Sequence, residues 1–101
     1  MNAKFEETKA LIGSLSNDLF RVATLSQRGS TQAAQRFLAE TKRWTKPLQK
    51  HPTPQYISDI IQDISKREVT DTSLESAEKY LMYGILLQNY ALHYSGVSSS
   101  T

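Results

Sequence analysis

From Tyr80 to Thr101 the chain contains no Asp, Glu, Lys or Arg. The apolar residues at the start of that run recur at helical spacing, and a helix without charge has no ordinary solvated face. Such a helix is either central in its fold or spans a membrane. Spanning needs about 20 predominantly apolar residues, and Gln88, Asn89, His93 and four tyrosines interrupt this run. The sequence therefore predicts a central helix over about 73–95, with Gly96 as its stop. Thr72 stands three residues before Glu75, the spacing of a reciprocal cap at its start.

Two stripes run along this helix. Leu74, Ala77, Leu81, Gly84 and Ala91 keep heptad spacing apart from Gln88, whereas Tyr80, Tyr83, Leu87, Tyr90 and Tyr94 keep it throughout, rotated away from the first set. Met82, Ile85, Leu86 and Leu92 fill much of the remainder. Gly84 costs about 1 kcal/mol relative to alanine in a helix interior, which suits a close helix crossing.

Three further helices precede it. Over about 3–28, Phe5, Thr8, Ile12, Leu15, Leu19 and Val22 recur in steps of three and four. Phe20 and Ala23 widen the stripe, and Glu6, Asn17 and Arg21 lie opposite. Gly29 is a left-handed stop, and Ser30 or Thr31 supplies the next cap. A second helix over about 31–46 aligns Ala34, Phe37, Thr41 and Trp44 and ends or kinks at Pro47, which has no N–H for the carbonyl of Arg43 and crowds it. Thr53 followed by Pro54 reads as a cap and first helical residue. The third helix, about 54–67, carries Ile57, Ile60, Ile61 and Ile64 on one face.

The expected fold is all-α, an antiparallel four-helix bundle with helix 4 at its axis. It forms a single domain over 1–96 with a frayed tail at 97–101. A 101-residue chain can build one core. The balance of 12 basic and 10 acidic residues gives no global pull toward nucleic acid or membrane. The chain has no cysteine, which removes thiolate chemistry and disulfides, and charges at Lys4, Glu6 and Glu7 stand where a signal peptide needs an apolar run. A cytoplasmic location is the expectation.

Three partner helices cannot cover the whole circumference of an uncharged fourth, so the surplus predicts self-association. Tyr80, Tyr83, Leu87, Tyr90 and Tyr94 are the expected interface, because tyrosine suits a surface that must be apolar yet tolerate water. The function expected is a non-enzymatic interaction or regulatory module that forms a homodimer or meets another protein. A second candidate surface is the outer face of helix 2, where Arg36, Lys42, Arg43, Lys46 and Lys50 fall within about a third of the circumference. It would suit an anion or nucleic acid. Catalytic readings are weaker still: His51 and His93 lack sequence partners, and the Asp59/Asp63 and Glu75/Glu78 pairs have the spacing of solvated charges. No catalytic residue, metal or cofactor is expected.

Overall fold

The computed structural model describes residues 3–94, and the side chains of residues 6–93. The described residues form four helices, α1 (Ala3–Gln27), α2 (Thr31–Leu48), α3 (Gln55–Lys66) and α4 (Leu74–Tyr94), with no strand among them. The chain is an all-helical bundle. Cross-links between Thr8 and His51, Asp18 and Trp44, and Arg21 and Phe37 run α1 against α2 in opposite directions. Those between Tyr56 and Tyr90, Asp63 and Tyr83, and Arg67 and Ser76 do the same for α3 and α4.

The axis of the bundle is α1 rather than α4. It makes extensive interfaces with both α4 and α2, while α3 packs on α2 and only lightly touches α4. The reason lies in the width of its inward stripe: Thr8, Ile12, Leu15, Leu19 and Val22 are buried as the spacing predicts, and Ser16, Ala23 and Ser26 are buried beside them. Around that stripe gather Leu38 and Leu48 of α2, the four isoleucines of α3, and Tyr80 and Leu87 of α4 in one core. Phe5 lies outside the described side chains, as does the expected tail outside the described residues.

The joints are local chemistry. Gly29 has φ of 80°, and the bonds from Ser30 N to Leu25 O (2.9 Å) and Gly29 N to Ser26 O (3.1 Å) complete a left-handed helix stop. Ser30 occupies the next N-cap, but its hydroxyl makes no capping bond.

At Pro47 the outcome differs from expectation, since α2 continues through it to Leu48. A proline this close to the end deletes only one intrahelical bond, and the continuation buries Leu48 to 1% exposure. Bonds from Gln49, Lys50 and His51 N–H back to Thr45, Pro47 and Leu48 close the end. His51 then anchors on α1, its Nδ1 2.5 Å from Thr8 Oγ1.

The third helix begins one residue later than expected. Pro54 is the N-cap, and its carbonyl accepts from Ser58 N at 2.9 Å. At α4 the cap is Ser73 instead of Thr72: Ser76 N donates to Ser73 Oγ at 3.1 Å, and Ala77 N donates to the Ser73 carbonyl at 2.8 Å.

α1 and α4 approach closely at Gly84. Ser16 Oγ donates to the carbonyl of Gly84 at 2.8 Å, and a Cβ at Gly84 would stand 2.9 Å from Phe20 Cε1. Ala77 and Ala91 share that buried edge. Gly13 is different, because a Cβ there would meet nothing within 4 Å. Gly13→Ala should therefore raise stability by up to about 1 kcal/mol through helix propensity. Gly84→Ala should gain nothing or lose stability, since Phe20 must move. Denaturant melts of the two variants check this, and an equal gain in both would contradict the close contact.

Candidate interaction surface

The two stripes of α4 meet different fates. Tyr80 and Leu87 are fully buried, and Tyr83 and Tyr90 are half-buried against the core. The side chain of Tyr94 is not among those described. Tyr80 and Leu87 thus face the core and are not part of an exposed docking surface, contrary to expectation, while Tyr83 and Tyr90 stay partly open. Small residues decide the matter: Ala77, Gly84 and Ala91 let α4 lie close on α1, which turns the neighbouring tyrosine edge toward α3.

The hydroxyls then find partners that only the folded chain supplies. Tyr80 Oη donates to the Asp71 carbonyl at 2.7 Å, and Tyr83 Oη donates to the Asp63 carboxylate. Burial and that carboxylate push the Tyr83 phenol up to about 12. Burial also raises Tyr80.

These bonds belong to a polar cluster at the α3–α4 turn. Arg67 is its hub, with 15% of its side chain exposed. Its Nε and Nη2 donate to the two oxygens of Asp63 (2.9 and 3.2 Å), and its Nη1 donates to Asp71 Oδ2 (2.7 Å) and Ser76 Oγ (3.0 Å). The guanidinium also stacks 5.3 Å over the Tyr80 ring. Arg67 holds Asp63 below the usual carboxylate range against the pull of burial, with help from Tyr83. Burial would raise Asp71, but Ser76 and Arg67 outweigh it. The i, i+4, i+8 spacing of Asp63, Arg67 and Asp71 is the signal that sequence reading passed over. An open cleft of about 410 Å³ beside the cluster is lined by Asp63, Lys66, Arg67, Glu68, Thr70 and Asp71. The charges of Asp63, Arg67 and Asp71 in it already satisfy one another.

The basic face of α2 is not one surface. Lys42 Nζ donates to the carbonyls of Ile64 (2.6 Å), Ser65 (3.1 Å) and Arg67 (2.7 Å), capping the C-terminus of α3. Its burial there lowers its pKa, and its donors are committed. Arg43 lies 3.7 Å from Glu40 and stacks over Trp44 at 5.4 Å. Arg36, Lys46 and Lys50 are exposed. Trp44 in turn donates to Asp18 at 2.8 Å, a carboxyl that burial raises despite that bond.

His93 is exposed, and Asp59 accepts a bond from Gln55. Among the described residues no group of three or more His, Cys, Asp or Glu is placed to hold a metal, and no helix is long and apolar enough to cross a membrane.

What remains open is the aliphatic face of α4. Leu74 (65% exposed), Leu81 (39%), Ile85 (45%) and Leu92 (63%) form one ridge, flanked by Met82 (60%) and Leu86 (37%). Tyr56 of α3 sets its ring edge-on to Tyr90 at 6.5 Å, on the side of α4 that faces α3. Contiguous apolar exposure of this kind on one helix is the feature that marks interaction surfaces. Set against known protein families, curated proteins and solved structures, the chain finds no match in any of the three.

The cluster carries its own prediction. Asp63 and Asp71 have folded-state pKa values below their unfolded ones, so their stabilisation is present above the ordinary value of 3.8 and is lost as pH falls through the folded values. Asp18, shifted upward, contributes in the opposite sense. Asp63→Asn should lower stability at pH 7 by roughly 1–3 kcal/mol, by leaving Arg67 short of an acceptor, and should flatten the acid limb of the stability curve. Melts between pH 2 and 7 read both effects; an unchanged acid limb would contradict the assignment.

Proposed function

We propose that the chain is a non-enzymatic interaction module that self-associates as a homodimer through the exposed ridge of α4, Leu74, Leu81, Ile85 and Leu92, with Met82 and Leu86 beside it. The observation that carries this reading is an aliphatic ridge left open, with Glu78 its one charged member, while Tyr80 and Leu87 of the same helix are buried. Two such faces pressed together take the four ridge residues of each copy out of water, and polar neighbours such as Gln88 and Asn89 extend the contact.

Within the contact a second copy is the fitting occupant. Along the ridge line from Leu74 to Leu92 the one formal charge is Glu78, too little to select a partner by opposite sign. Spacing in steps of four and three is the pattern by which one helix packs along another at about 20°. The basic face of α2 supports anion or nucleic-acid binding less well, because Lys42 is occupied as a helix cap and Arg43 has an acidic neighbour.

Sedimentation at micromolar concentration should give twice the 11.4 kDa chain mass. Leu81→Glu with Ile85→Glu should weaken association about 30-fold or more with helix content unchanged. Tyr83→Phe should leave the mass unaltered. A wild type that stays monomeric up to high concentration refutes the proposal.

A further inference from the structure

The exposed seam of α4 has an internal symmetry. Steps of four and three give Leu74, Glu78, Leu81, Ile85, Gln88 and Leu92, all six exposed. Read from either end, the series is leucine, a polar residue, an aliphatic, an aliphatic, a polar residue, leucine. The midpoint falls at the height of Tyr83. One of its two polar members is an acid and the other an amide, and that difference distinguishes the two ways of pairing the seam with itself.

We infer that two copies pair through α4 in antiparallel orientation about a two-fold axis at the height of Tyr83, with Glu78 of each opposite Gln88 of the other. This rests on the self-association proposed above and adds its geometry. In this register Leu74 meets the second copy's Leu92, and Leu81 meets its Ile85. The carboxylate of Glu78 accepts from the Gln88 Nε2 amide, and the two-fold makes this bond twice, once toward each end of the seam. The parallel register sets Glu78 against Glu78, two like charges at close range in a partly dried interface, and leaves each without a donor across the seam. Antiparallel helices also oppose their dipoles. The two ends of the contact carry the most exposed leucines, Leu74 and Leu92, and only the antiparallel arrangement brings them together.

The absence of cysteine makes the test direct. Leu74→Cys and Leu92→Cys are made as separate proteins, both at sites more than 60% exposed where the fold tolerates the change. Each is oxidised alone and in an equimolar mixture. The antiparallel register holds residue 74 of the two copies about 27 Å apart, at 1.5 Å per residue along the axis. A disulfide requires Cα atoms within about 7 Å. The mixture should therefore form the mixed disulfide rapidly and each protein alone should cross-link slowly. Rapid cross-linking of Leu74→Cys alone, or a dimeric mass with no enhancement in the mixture, overturns the register while leaving self-association standing. A monomeric wild type removes both.

Charge reversal gives a second readout. The double variant Glu78→Lys with Gln88→Glu puts Lys opposite Glu in the antiparallel dimer and should tighten it roughly threefold to tenfold. In a parallel dimer it sets Lys against Lys and Glu against Glu. Weakened association would overturn the inference.

Discussion

The contact of α1 with α4 at Gly84 is the constraint from which the other features of the bundle follow. A backbone carbonyl held by Ser16 and a Cα covered by the Phe20 ring fix both the distance and the rotation of α4. A side chain at position 84 would hold the two helices apart or displace Phe20. With the rotation fixed, Tyr80 and Leu87 enter the core and Leu81, Ile85 and Leu92 leave it. The open ridge is the geometric complement of the small-residue edge.

The polar cluster at the α3–α4 turn reinforces that rotation from the other side. Tyr80 and Tyr83 bury their rings only because the Asp71 carbonyl and the Asp63 carboxylate receive their hydroxyls, and Arg67 holds those two acidic residues in place. A half-satisfied network would be costly in a low dielectric. Lys42 performs the analogous service at the end of α3, where it donates to the carbonyls of Ile64, Ser65 and Arg67. Ion pairs and caps thus orient helices whose apolar faces alone leave more than one rotation open.

Much of the fold was legible in the sequence because its signals are local. The three-and-four spacing of Ile12, Leu15, Leu19 and Val22, the isoleucines of α3, and the left-handed stop at Gly29 need no knowledge of distant residues. The need of Gly84 for a close crossing was legible too. The inward stripe of α4 was not, since both stripes are apolar at heptad spacing and the deciding partners, Asp63 and Asp71, lie in another helix and a loop. The same limit applies to Lys42, whose role depends on α3, and to the axial place of α1. The end of α2 lies two residues past the expected boundary, because a proline in the last turn deletes only one bond.

The candidate surface therefore rests on one division of a single helix into a covered tyrosine face and an open aliphatic face. Solvent paramagnetic broadening of methyl signals, followed through a dilution series, tests it most directly. The methyls of Leu81, Ile85 and Leu92 should broaden strongly when the chain is dilute and become protected as concentration rises, while those of Leu87 stay protected throughout. Equal protection of all four at every dilution, or broadening of Leu87 with the rest, would contradict the account.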